Sequence, residues 1–134
     1  MTVSEIIQTV ESSGCMLQVS NGRLNIKQGK RLEPSLVQWF KDNKTTVLEV
    51  LERDKSMKEI GFMVGVAGEI YMQSMSHRSI IYVECRQGKW VLWRENYEQG
   101  RTVAKRHKIL AQGSFYEVQA RASSYFNYLK GVSA

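Results

Sequence analysis

The side chains best suited to nucleophilic or metal chemistry are two cysteines, Cys15 and Cys85, and two histidines, His77 and His107. Their spacing forms none of the CxxC, HxxxH or HExxH patterns that bring metal ligands or catalytic groups together. The glycine-containing stretch 61–68 lacks the Lys-Ser/Thr ending of a phosphate-binding loop. The sequence therefore predicts no catalytic site, no metal and no cofactor, and we expect a protein that is not an enzyme.

A second set of residues is basic and aromatic and lies in the second half of the chain. The formal charge of +6 divides into +1 over residues 1–55 and +5 over residues 56–134. Cations on strands reach phosphates and base edges, and rings such as Tyr82 offer stacking surfaces. The candidate nucleic-acid-binding residues are Arg86, Lys89, Trp93, Arg94, Arg101, Lys105, Arg106 and Lys108. A solvated strand face is the alternative, since Glu84, Glu95 and Glu98 dilute the positive field.

The composition of the chain limits where these residues act. With 134 residues, 43% of them hydrophobic and 24% charged, the chain suits one ordinary domain or two very small ones. No apolar run approaches the roughly 18–20 residues of a membrane span. The acidic start lacks the basic region of a secretory signal, and two cysteines make no disulfide framework. We therefore expect reduced thiols, a cytoplasmic location and no membrane partner.

The first half of the chain predicts a helix, a hairpin and two more helices, and these elements would position any site there. Residues 2–13 form an amphipathic stretch with Thr2 and Glu5 at capping-box spacing. Two alternating runs around Asn21-Gly22 predict a tight hairpin. Its buried face is predicted to hold Leu17, Val19, Leu24 and Ile26, and its solvent face Gln18, Arg23 and Asn25. Pro34 opens the second helix, Asp42-Asn43 breaks it, and a third helix follows to Arg53.

This half resembles the N-terminal docking domain named after TubC, found on modular peptide- and polyketide-synthase subunits. The resemblance covers residues 2–53. It is carried by Gly14-x-x-Leu17-x-Val19-x-Asn21-Gly22-Arg23-Leu24-x-Ile26, Leu32-x-Pro34-x-Leu36, Phe40-Lys41-x-Asn43-Lys44, Leu48 and Leu51. It implies an αββαα fold, frequent dimerisation, and an exposed hairpin that receives a short segment of a partner protein. The implied partner-binding residues are Gln18, Arg23, Asn25 and Lys27, with Lys30 and Arg31 at the rim. No synthase domain follows in this chain.

The second half, residues 56–134, predicts a helix or loop, three strands and a helix. The stretch 59–75 fits a helical stripe through Ile60 and Tyr71, which we favour, although its glycines leave a strand-and-loop interpretation open. Three strands are predicted at 79–86, 89–96 and 101–110, and Ser114 caps a final helix. This layout is similar to that of sheet-type DNA readers such as integrase arm-binding domains.

Together these patterns predict an α+β protein with two modules, an αββαα docking-like module at 1–55 and a three-stranded antiparallel sheet with a helix at 56–134. The function we expect is a non-enzymatic adaptor that binds a protein partner through its N-terminal hairpin and forms a homo-oligomer. The alternative is a phage- or plasmid-type DNA-binding accessory protein that uses the basic sheet. A phage-encoded inhibitor of a host defence enzyme is a third hypothesis, for which no particular residue argues.

Overall fold

A computed structural model of the chain describes residues 2–27, 32–76, 79–97 and 104–133, without the side chains of 104–106, 126 and 128–133. Four helices and seven strands occur in these ranges. Their order is α1 (Val3–Ser12), β1 (Met16–Ser20), β2 (Arg23–Lys27), α2 (Pro34–Asp42), α3 (Lys44–Glu59), β3 (Met63–Val66), β4 (Ile70–Ser76), β5 (Ser79–Arg86), β6 (Lys89–Tyr97), β7 (Ala104–Gly113) and α4 (Phe115–Ser133). The protein is a mixed α+β fold with a two-stranded and a five-stranded antiparallel sheet.

The first compact unit comprises residues 1–56 together with the turn Val66–Gly68. Thr2 caps α1, since its hydroxyl accepts the Glu5 backbone N–H at 3.1 Å. Asn21 and Gly22 both have positive φ, +53° and +73°, which is the conformation of a primed two-residue turn. The unit is closed by a core of Ile6, Val10, Cys15, Leu32, Phe40 and Val47.

The hairpin of this unit has the predicted register. Leu17 pairs with Ile26 and Val19 with Leu24, so these four side chains share the inner face. Leu17, Leu24 and Ile26 pack on the core of the unit. The prediction of this hairpin and of its register is confirmed, but its inner face is half-buried rather than buried, and Gln18 is half-buried as well.

The second unit comprises residues 57–65 and 69–134. Its sheet has the order β3-β4-β5-β6-β7, and α4 packs on one face of β5, β6 and β7. The hydroxyl of Ser114 accepts the Glu117 N–H at 3.3 Å and caps α4 as predicted. The core between helix and sheet holds Met57, Phe62, Tyr71, Ile81, Val83, Trp90, Leu92, Val118 and Ala122.

The helix that we favoured across 59–75 and the three-stranded sheet are wrong, and the strand-and-loop alternative for this stretch is the one that the structure shows. This stretch forms β3 and β4, which extend the sheet to five strands. The physical reason lies at Gly68, whose φ of +71° is incompatible with a right-handed helix and suits the turn between two strands. The stripe that looked helical is instead a strand alternation, in which Tyr71 is fully buried while Ile70 and Met72 are only half-buried.

The predicted αββαα module also does not match as a self-contained segment ending at residue 55. Helix α3 continues to Glu59, and the turn Val66–Gly68 belongs to the first unit. The carboxylate of Asp54, only 7% exposed, accepts the Gly68 N–H at 2.8 Å. Arg53 donates to the Gly68 carbonyl at 2.9 Å, and Ser4 donates to the carbonyl of Ala67. A turn that is distant in sequence therefore completes this unit.

In the ranges that the structure describes, we find no helix with the length and apolar character needed to cross a membrane.

Candidate binding surfaces

The outward face of the N-terminal hairpin is the first candidate surface. Arg23, Asn25 and Lys27 alternate along β2, and all three side chains are exposed. Gln18 lies opposite Asn25 and is half-buried. We call Gln18, Arg23, Asn25 and Lys27 the hairpin strip. The structure brings together these four predicted residues, whereas Lys30 and Arg31 lie outside the described residues.

The cations of the hairpin strip form no ion pair within the described part of the chain. No carboxylate there pairs with Arg23 or Lys27. The sheet contains only β1 and β2, so the described residues leave the outer backbone edge of each strand unpaired. Met16, opposite Lys27, is 57% exposed and adds an apolar side chain that sequence reasoning did not include. The result is a cationic, partly apolar ribbon with backbone donors and acceptors along its edges.

The second candidate set, on the five-stranded sheet, does not share one face. The face of the sheet that points away from α4, which we call the outer face, carries Arg86, Lys89 and Trp93. These side chains share it because successive residues of a strand alternate between the two faces. Arg94 and its register partner Lys108 lie on the face that carries α4. Lys105 and Arg106 belong to β7, but their side chains, like the whole of Arg101, lie outside the described residues.

Arg94 is held in a polar cluster on the α4 side. Its Nη1 donates to the Tyr125 hydroxyl at 2.6 Å, and its Nε donates to Ser79 and to Asn96. Ser79, only 3% exposed, in turn donates to Asn96 at 3.1 Å. These bonds assign the guanidinium to holding β5, β6 and α4 together, so it does not point toward an external ligand on the outer face.

An aromatic row crosses the outer face. Tyr82 and Trp93 are register partners, and their rings stack at a centroid distance of 4.2 Å with planes 11° apart. The His107 ring lies 5.5 Å from Trp93, and the guanidinium carbon of Arg86 lies 5.2 Å from the centre of the Trp93 ring. The Trp93 indole N–H is buried and has no acceptor among the described residues. We call Tyr82, Trp93, His107 and Arg86 the aromatic row.

Two carboxylates accompany this row, and both are engaged. Glu84 forms an ion pair with Arg86. Glu95 accepts hydrogen bonds from the hydroxyls of Tyr82 and Tyr97. The pKa of Tyr82 lies well above its usual range, first because burial disfavours the phenolate and then because Glu95 stabilises the protonated form. The pKa of Tyr97 is raised for the same two reasons.

The sequence placed Glu95 near this strand face but did not indicate His107 as a member of the surface, because the available signal covers only the pairing of β5 with β6. The two-residue turn Gln87-Gly88 fixes Arg86 opposite Lys89, and counting back along the strands pairs Tyr82 with Trp93. The register between β6 and β7 could not be deduced by counting residues along the strands, because a bulge shifts it between Leu92 and Trp93.

The described residues contain no group of three or more His, Cys, Asp or Glu side chains placed to hold a metal ion. Cys15 lies in the core of the first unit, and Cys85 packs against the core of the second. Comparisons with family models, curated proteins and solved structures give no match to this chain.

Proposed function

We propose that the protein is a non-enzymatic docking protein that receives an extended, acidic segment of a partner polypeptide on its N-terminal hairpin. The observation that carries this proposal is the exposed row of Arg23, Asn25 and Lys27 along a strand, with no carboxylate of the described chain neutralising it.

Strand addition is the binding mode that suits this geometry. An extended segment placed beside β1 or β2 would satisfy the backbone groups that the two-stranded sheet leaves unpaired. Its side chains would alternate in the same period of two residues as the hairpin strip. Beside β2, glutamate or aspartate at alternate positions would face Arg23 and Lys27, whereas beside β1 an apolar residue would contact Met16. Complementary charge would raise the association rate and select against basic segments.

Self-association is a second part of the proposal, supported by the resemblance of residues 2–53 to docking domains that often dimerise. It would use a surface other than the cationic hairpin strip, which repels a second copy of itself. Light scattering coupled to gel filtration tests it, and we expect the mass of a dimer or larger assembly. A mass equal to one chain at every concentration tested would remove self-association and leave docking of a different polypeptide.

Fluorescence polarisation with two synthetic probes tests docking directly. One labelled peptide alternates glutamate with valine, and the other alternates lysine with valine. We expect the acidic peptide to bind about tenfold or more tightly than the basic one, a difference of about 1.4 kcal/mol. Backbone amide shifts on binding should concentrate in β1 and β2.

A charge-matched pair of double variants localises the site. Arg23→Glu with Lys27→Glu should weaken acidic-peptide binding at least about fivefold, the scale of losing two partly exposed charge pairs. Lys41→Glu with Lys55→Glu makes the same change in net charge at exposed helix positions and should change binding less than about twofold. Equal effects of the two pairs, or equal binding of the two peptides, would refute docking at the hairpin strip.

A further inference from the structure

The aromatic row of the second unit forms a surface that the hairpin proposal leaves unexplained. Its rings lie on the outer face, opposite the side that α4 covers. Trp93 is flanked by Tyr82 and by the exposed His107, and Arg86 lies over the indole with its side chain 48% exposed. Planar rings, a guanidinium and an indole N–H without an acceptor in the described chain are thus gathered at one place.

We propose that this surface binds single-stranded nucleic acid, with an unpaired base stacked at Trp93 and the neighbouring phosphates on Arg86 and Lys89. Every base offers a π face, so stacking on an aromatic platform binds single strands with little sequence preference. The base replaces the guanidinium of Arg86 over the indole, and Arg86 moves to a phosphate oxygen. The Trp93 N–H is buried in the free protein and has no acceptor among the described residues, so the displacement of Arg86 must also uncover it before a base carbonyl or phosphate oxygen accepts it.

The carboxylates of the described surface are engaged in the free protein, Glu84 with Arg86 and Glu95 with two tyrosine hydroxyls. A phosphate must therefore share or compete with Glu84 for Arg86, and Lys89 is the cation that it meets without a carboxylate partner among the described residues. Lys89 is exposed at the start of β6 on the same face. The second half of the chain as a whole carries +5, and this net charge favours association with a polyanion in general.

Single strands are the form that this geometry favours over a duplex. Bases in a duplex are stacked on one another and offer only their edges, so the rings of the row would have no base to stack on. Base stacking accounts for about 1–3 kcal/mol for each base in known single-strand sites, and loss of one stack weakens binding about tenfold.

Fluorescence anisotropy with labelled oligothymidine and oligouridine, each roughly twelve nucleotides long to fit a single-strand site, provides the test. A DNA duplex of the same length is the third probe. We expect either single strand to bind at least about tenfold more tightly than the duplex at low salt, and binding to fall as salt rises. Quenching of tryptophan fluorescence should accompany single-strand binding.

Paired variants separate stacking from charge. Trp93→Leu should weaken single-strand binding about tenfold. His107→Ala removes an exposed ring, so it should leave the fold intact, and it should weaken binding about threefold or more. Lys89→Ala should weaken binding and make the salt dependence shallower by about one unit of slope, because one phosphate no longer has its cation. Its matched control is Lys108→Ala, an exposed lysine on the other face of the same sheet, which should change affinity less than about twofold.

The proposal is overturned if the wild-type chain binds no single strand at low salt, or binds duplex equally well. It is also overturned if His107→Ala and Lys89→Ala, both folded, bind as the wild type does. Binding of the acidic peptide at this surface instead, shown by loss of peptide affinity in Lys89→Ala, would assign the row to a protein partner. The hairpin double variant should keep full single-strand affinity, so failure of this proposal is distinguishable from failure of docking.

Discussion

The guanidinium of Arg94 joins three elements of the second unit through the hydroxyl of Tyr125 and the side chains of Ser79 and Asn96. Arg94→Ala should lower the free energy of unfolding by about 1.5–3 kcal/mol, because bonds to a charged donor are lost and Ser79 stays buried. Urea denaturation measures this change. Lys108→Ala, at the register partner, should stay within about 0.5 kcal/mol of wild type. Equal midpoints for the two variants would contradict the assignment.

Tyr82 makes the stability of the folded protein depend on pH in the alkaline range. Burial, followed by Glu95, raises its pKa in the folded protein above the value of about 10 expected in the unfolded chain. The stability that results is fully present below pH about 10 and is lost above it, since the unfolded chain loses its proton first. Tyr97 acts in the same direction.

We therefore expect the urea midpoint to fall as pH rises from about 9 to about 11, and to fall less steeply in Tyr82→Phe. Tyr116→Phe is the matched control, because its ring is 80% exposed, and it should retain the wild-type decline. A wild-type midpoint that is flat across this range would show that Tyr82 is not shielded in the folded protein.

At the level of elements, the turn between β3 and β4 depends on Gly68. Its φ is +71°, and a Cβ there would lie 2.8 Å from a methyl carbon of Val50. Gly68→Ala should therefore suffer both the cost of a left-handed alanine, about 1–2 kcal/mol, and a steric penalty. Gly88→Ala is the control, since Gly88 has φ +79° with open space around it. In thermal unfolding, the Tm of Gly68→Ala should be lower than the Tm of Gly88→Ala. The reverse order would mean that the Val50 side chain moves aside without loss of stability.

The elements that the sequence predicts correctly are those fixed by local chemistry. Asn21-Gly22 and Gln87-Gly88 set tight turns, and Thr2 and Ser114 cap their helices. The stretch 59–75 was misassigned because its apolar spacing suits a helix and a strand alike, and tertiary contacts decide between them. The face of Arg94 could not be predicted while the partner of each strand was unknown. The strands that carry the candidate residues therefore followed from sequence, and the distribution of their side chains over the two faces did not.

At the level of the whole molecule, the two candidate surfaces have separate chemistry. The hairpin strip is polar, cationic and bordered by strand edges that the described residues leave unpaired, whereas the aromatic row offers rings with cations around them. An acidic polypeptide suits the first surface and an unstacked base suits the second. A chain with both would link a protein partner to a single strand, and each set of variants serves as the control for the other.

The first unit is not a continuous segment, which bears on whether it can be isolated. A fragment of residues 1–55 lacks the turn Val66–Gly68 that supplies partners to Ser4, Arg53 and Asp54. The carboxylate of Asp54 is 7% exposed, so losing the Gly68 N–H removes a hydrogen bond from a buried charge. We expect amide hydrogens of α1 and the hairpin to exchange at least about tenfold faster in the fragment, a loss of about 1.4 kcal/mol.

Asp54→Asn in the full chain is the matched comparison for this fragment, since it keeps the turn and removes only the charge. It should accelerate exchange less than truncation does, because Ser4 and Arg53 retain their carbonyl partners. If the amide hydrogens of the fragment exchange as slowly as those of the full chain, the turn adds no stability to the first unit. Residues 1–55 would then fold in isolation. If Asp54→Asn exchanges its amide hydrogens as fast as the fragment does, loss of the single carboxylate accounts for the whole effect. The other contacts of the turn then depend on that carboxylate.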